Sequence, residues 1–325
     1  MSTMNDFSLP PSDLGKIGQD LARPECVLCT AAGDIFVSHF QGGVTRIRPT
    51  GGQQHYLGPG NPTVATNGFA ITRGGDFLCA NLLEPGGVWR VSQDGRQTPF
   101  LLEVEGYVIP SVNFVYLDEQ ERAWIAVSTR RVPRTLGYRP DVDDGFIVLV
   151  DGRGARIAAD GLGYTNEAKV DPSGRWLYVN ETFARRTSRF PLKADGALGA
   201  RETVAEYGHG TFPDGLEFDC EGGVWLTSVI SNRVIRVAPD GSQQVIMADY
   251  DSARLDEIER IFQAGQLERN HMDGLQTRFL KNISSIAFGG PDLKTAYLGN
   301  LHDGCVYTFA SPVAGAAPPH WKFAV

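Results

Sequence analysis

The chain has 325 residues, a formal net charge of −8 and 42% hydrophobic content, with 38 glycines and 19 prolines. An acidic chain repels phosphate backbones, which sets nucleic acid aside, and no apolar run approaches the roughly 18 residues of a membrane span. Met1–Gln19 lacks a basic start followed by an apolar stretch, and five cysteines is an odd count, so a soluble, cytoplasmic protein with reduced thiols is expected.

Taken in chain order, the elements repeat. The first unit runs through PECVLCT, headed by Glu25, then DIFVSHF (34–40), then GVTRIRPTGG. The second is TNGFAIT, headed by Asn67, then DFLCANLL (76–83) and GVWRVSQDG. The third is VNFVYLD, headed by Asn113, then AWIAVST (123–129). A Pro- and Arg-rich stretch, 130–145, separates it from GFIVLVDGRG. The fourth is TNEAKVD, headed by Asn166, then WLYVNET (176–182) and RTSRFPLKADG. The fifth is PDGLEFD, headed by Asp214, then VWLTSVI (224–230) and NRVIRVAPDG. A long insertion, 249–279, follows, in which Leu255, Ile258, Ile261 and Phe262 sit at helical spacing. The sixth is SSIAFGG, headed by Ser284, then TAYLGNL (295–301).

The β-like runs are rich in branched and aromatic residues. The Asp-Gly pairs supply the positive φ of tight hairpins. A common register links the units. Eleven residues after Glu25, Asn113 and Asp214 stand Phe36, Trp124 and Trp225. The heads are 42, 46, 53, 48 and 70 residues apart, the size of a four-stranded blade in all but the last. The pattern predicts an all-β, six-bladed β-propeller with 1–325 as one domain. Either the segment before Leu21 or HWKFAV (320–325) closes the last blade.

In a propeller the innermost strands line the axis, so their heads converge at one mouth. Glu25, Asn113, Asn166 and Asp214 then form a ring of hard oxygen donors suited to a central divalent metal. Asn67 and Ser284 share the register but receive no metal role. Cys26 and Cys29 fall on opposite faces of a strand, which argues against a metal or redox pair. Cys79, Cys220 and Cys305 read as small buried residues.

These residues carry a resemblance over roughly residues 20–310. GTFPDGLEFDCEGGVWLTSVISNRVIRVAPDG (210–241), NEAKVDPSGRWLYVNET (166–182) and SSIAFGGPDLKTAYLGN (284–300) resemble the senescence-marker-protein/gluconolactonase/luciferin-regenerating-enzyme family. The resemblance implies one axial divalent cation held by Glu25, Asn166 and Asp214, with Asn113 beside it or ligating it. Ca²⁺ is the first choice, with Mg²⁺, Mn²⁺ and Zn²⁺ as alternatives. It also implies a hydrolase that opens a small-molecule lactone, with Asp214 orienting or deprotonating the attacking water and Asn113 assisting. The same site would suit an organophosphate or another activated ester. A non-catalytic ligand-binding propeller is the reading of a different class.

The departures from the family pattern bear on substrate. Asn-Gly at the fourth head is Asn166-Glu167 here, and Glu-Gly-Pro at the first is Pro24-Glu25-Cys26. The arginine that sugar lactonases place two residues before the third head is Ser111. Arg131, with Arg130, is the candidate replacement cation. His271, in the insertion, and His302, in the last unit, are candidates for substrate contact or proton transfer. His39 is expected to be structural.

Overall fold

The computed structural model describes residues 4, 7–58, 64–273 and 277–325. Residues 274–276 of the predicted insertion lie outside the described residues. Six four-stranded antiparallel sheets form the blades of a six-bladed β-propeller. Their innermost strands are Val27–Cys29, Thr66–Ile71, Phe114–Leu117, Thr165–Val170, Pro213–Phe218 and Ile283–Gly289. Each predicted head lies at the start of such a strand or within two residues before it. The innermost strands of neighbouring blades pack side by side around the axis.

Blade 6 settles how the ring closes. Its outer strand is Gly15–Ile17, which pairs with Val306–Ala310 through Lys16 opposite Tyr307. The C-terminal segment does a different job, crossing the far mouth. Gly315 bridges Asp219, and the Ala31 N–H donates to the Trp321 carbonyl at 2.7 Å.

The aromatic eleven residues beyond a head is a packing device. Trp124 and Trp225 are completely buried. Indole nitrogen must find a partner when buried. Trp124 Nε1 donates to Asp118 at 2.9 Å and Trp225 Nε1 to Asp219 at 2.8 Å. Each aspartate also takes an arginine Nε, from Arg122 and Arg236, both at 2.6 Å. Blade 1 repeats the theme with Phe36 under Arg46, which pairs with Asp34 at 2.5 Å. Cys26 and Cys29 sit in different apolar clusters, as their spacing predicts. Cys220 departs from expectation: it is exposed, at the turn where Asp219 binds backbone N–H groups.

The insertion forms the expected helix, α1 (Ser252–Gln263), and a shorter one, α2 (Arg269–Asp273). Asp251 caps α1 by accepting from the Arg254 N–H at 2.8 Å. Leu255, Ile258, Ile261 and Phe262 pack against Tyr138, Phe183, Phe212 and Val229. Tyr138 follows a short 3-10 turn, Arg134–Gly137, so both predicted insertions meet over the head end of the propeller. The helix is therefore a cap on that mouth rather than surface decoration.

Candidate functional site

Four of the six heads sit where the inner strand slips against its partner. In blade 2 Thr66 opposes Asn81, but the next pair is Phe69 with Cys79. The inner strand thus gains one residue on its partner, a bulge around Asn67. Blades 4, 5 and 6 have the same slip around Asn166, Asp214 and Ser284. A bulge re-aims the side chain it carries. Two glycines let neighbouring strands close up behind the heads. A Cβ on Gly68 would lie 2.3 Å from the Phe114 ring, and one on Gly215 would lie 2.5 Å from Ser285 Cα. Glu167, where the family often has glycine, reaches across instead. Its carboxylate accepts from the Leu216 N–H at 3.0 Å and pairs with Lys169 at 3.2 Å.

Glu25, Asn113, Asn166 and Asp214 line one cavity of about 30 Å³, together with Asn67, Thr182, Arg23, Arg134 and Arg269. All four predicted donors are buried. Asn67 is the hub. Its Nδ2 donates to Glu25 Oε1 at 2.8 Å, to Asn113 Oδ1 at 2.6 Å and to the Asn113 carbonyl at 2.9 Å. Its Oδ1 accepts from Arg23 Nη1 at 2.8 Å, which fixes the amide's orientation. Thr182 does the same for Asn166. Its hydroxyl accepts from Asn166 Nδ2 at 3.0 Å and donates to the Pro213 carbonyl at 2.8 Å. Asn166 Oδ1 is thereby left for the cavity.

Burial pushes the Asp214 carboxyl far above the usual range, and the Glu25 and Glu167 charges push it further. Burial also raises Glu25, against the pull of Arg23, Arg134 and the Asn67 amide. Two desolvated carboxylates repel one another, and the Arg23 and Arg134 guanidiniums on the same wall offset part of that cost. Carboxylate and amide oxygens are hard donors. The residues present therefore fit a hard divalent ion.

The other predicted contacts lie elsewhere. Ser111 is half-buried and does not line the cavity. Arg131 is exposed and pairs with Asp144 at 3.3 Å, because the chain turns outward before Arg134 turns in. His271 faces its own turn, where its Nδ1 accepts from the Glu268 N–H at 3.0 Å. His302 stands one layer back, 2.9 Å from Asp273, which in turn holds Arg269. His39 is structural as expected, with Nδ1 accepting from the Gln41 N–H at 3.2 Å. Asn67 is a functional residue that the sequence pattern does not assign, although it shares the register of the other heads. Nor does the pattern assign Arg23, Arg134 and Arg269, which lie outside the repeat.

A larger cavity, about 350 Å³, opens near the opposite mouth between Phe69, Phe114, Phe218 and the C-terminal segment. It contains none of the six heads. Lys169, buried between Glu167 and Glu217, stands on its wall.

The profile of the SMP-30/gluconolactonase/LRE-like region matches residues 24–249, more than half of the chain. The chain belongs to this family. A 6-deoxy-6-sulfogluconolactonase from Pseudomonas putida is 30% identical over 201 residues, which cover 57% of this chain and 59% of that one. The match thus spans less than two thirds of that relative. A gluconolactonase from Xanthomonas campestris superposes with a TM-score of 0.66 at 18% identity, covering 92% of this chain and 90% of that one. The calcium-binding protein regucalcin from Agrobacterium tumefaciens superposes with a TM-score of 0.67 at 15% identity, covering 98% and 99%. At those identities the two structures share the fold with this one.

Proposed function

We propose that the chain is a metal-dependent lactonase that opens a small lactone ring at the head-end cavity. The observation that carries this reading is the convergence of Glu25, Asn113, Asn166 and Asp214 on one buried space. Family membership and the sulfogluconolactonase and gluconolactonase relatives support it. The four side chains would hold one divalent cation, with Ca²⁺ first, in keeping with the calcium-binding neighbour. When bound, that cation supplies Lewis acidity to the lactone carbonyl. The chain's own groups do the rest. Asp214 orients the attacking water and takes its proton. The water oxygen bonds to the acyl carbon, the ring C–O bond breaks, and the proton passes to the departing alkoxide, giving a hydroxy acid. Asn113 positions the substrate oxygen, while Asn67 and Thr182 hold the donors in place.

The cavity, about 30 Å³, is walled by Arg134 and by Arg269 and Met272 of α2, which stand at the entry of any lactone. We place the reaction in the cytoplasm, with no nucleic acid or membrane partner. The test is a panel of neutral and charged lactones, assayed after chelation with Ca²⁺, Mg²⁺, Mn²⁺ or Zn²⁺ added back. Ring opening that returns with metal is expected. A folded, metal-loaded protein that opens none of them would favour a binding propeller.

A further inference from the structure

The cavity walls carry more positive charge than the carboxylates on them can balance. Arg23, Arg134 and Arg269 line it, against the carboxylates of Glu25 and Asp214. Three separate segments deliver these guanidiniums. Arg23 lies on the approach to blade 1, Arg134 opens the 3-10 turn of the third blade's loop, and Arg269 begins α2. They oppose one another electrostatically. Gathering like charges in a partly desolvated space is unfavourable unless an opposite charge joins them.

Two of the three have partners. Arg23 sits beside Glu25 and donates to Asn67. Arg269 is held by Asp273 through Nε at 2.8 Å. Arg134 makes no direct ion pair among the described residues, although its charge also acts on Glu25, and its Nη1 is buried with no hydrogen bond. The Tyr164 hydroxyl, on the same wall, is also buried without a well-formed hydrogen bond, and the Tyr138 phenol beside both groups is their neutral polar neighbour. Buried donors in native proteins are nearly always satisfied. A cation bound by Glu25 and Asp214 would cancel their charge and leave the guanidiniums with Asp273 alone.

We propose that this wall is a subsite for an anionic substituent of the substrate, clamped by Arg134 and Arg269 with the Tyr164 hydroxyl as a further donor. The preferred lactones then carry a carboxylate, sulfonate or phosphate away from the ring ester. Guanidinium forks suit all three oxyanions. The proposal rests on the ring-opening reading above. It also accounts for Ser111: the positive anchor has moved from the third head to the loop and the insertion.

The experiment compares kcat/KM on lactones matched except for one group. Glucono-1,5-lactone is set against its 6-phospho and 6-deoxy-6-sulfo analogues, and glucono-1,4-lactone against glucaro-1,4-lactone. Wild type should favour at least one anionic member by about tenfold or more, the size of one charged hydrogen bond. Which arm wins identifies the oxyanion. Arg134→Gln and Arg269→Gln should bring the ratio toward one, Arg134→Lys should keep part of it, and added salt should shrink it. Equal rates on charged and neutral lactones, or a preference that survives Arg134→Gln, overturns the subsite and leaves the lactonase reading standing. If no lactone is opened, that reading fails, and calorimetry of 6-phosphogluconate and sulfate with the calcium-loaded protein decides the subsite. Binding that Arg134→Gln abolishes supports it; no binding, or equal binding by the variant, overturns it.

Discussion

Asn67→Ala isolates the part of the site that the repeat did not mark as functional. The substitution removes one amide that touches two of the four proposed ligands, Glu25 Oε1 at 2.8 Å and Asn113 Oδ1 at 2.6 Å. It also strips the Arg23 guanidinium of its acceptor. A hydrogen bond to a charged group contributes about 1.5–3 kcal/mol. Partners that orient ligands change metal affinity by about 10–100-fold, which corresponds to about 1.4–2.8 kcal/mol. The two ranges agree, so calcium affinity should fall by about one to two powers of ten. The assay is calorimetric titration of Ca²⁺ into chelator-treated protein, with circular dichroism to confirm that the propeller persists. Wild-type affinity in a folded Asn67→Ala protein would refute the claim that Asn67 sets the donors.

Other consequences follow from the packing. Asp219→Ala leaves Arg236 buried without its 2.6 Å partner and Trp225 without its acceptor, so denaturant unfolding should register a loss of about 3–5 kcal/mol; a loss below about 1 kcal/mol would contradict that account. The insertion is latched by two carboxylates. Glu259 is held at about 2 because Arg185, Gln263 and the Gly210 N–H outweigh burial, and Asp273 at about 2 because His302 and Arg269 do so. Both folded values lie below the ordinary 4.5 and 3.8, so the latch is at full strength above those and is lost as pH falls toward 2. Hydrogen exchange should show α1 and α2 opening before the blades near pH 3; exchange in step with the blades would refute the latch. Removing residues 1–17 strips the closing strand from Val306–Ala310, and thermal unfolding should begin earlier with aggregation through the bared edge. An unchanged melting temperature would show that Gly15–Ile17 contributes nothing to closure.

What could be read from the sequence was what the repeat carries. Asp-Gly hairpins, polar heads and the aromatic eleven residues on recur, so six blades and the inward ring of Glu25, Asn113, Asn166 and Asp214 were legible. The closing strand was narrowed to two candidates, of which the segment before Leu21 is the one that pairs; Gly15–Ile17 is short and largely exposed, with no alternation to decide between them. The arginines were not legible, because a loop residue's direction depends on what it packs against. Arg131 and Arg134 are three positions apart, yet one pairs with Asp144 at the surface and the other reaches the cavity. The apolar face of α1 was visible at helical spacing, but its partners Tyr138, Phe183 and Phe212 come from the loops of blades 3, 4 and 5.

The central claim is that one divalent cation, held by the four heads, goes with ring opening. The direct measurement is lactone hydrolysis followed in a pH-stat while Ca²⁺ is titrated into chelator-treated protein, alongside calorimetry of the same samples. Activity should rise in proportion to occupancy of one site, and Glu25→Gln and Asp214→Asn should lose binding and turnover together. Full lactone hydrolysis by folded Glu25→Gln or Asp214→Asn protein, or by wild type with no metal bound, would contradict the account.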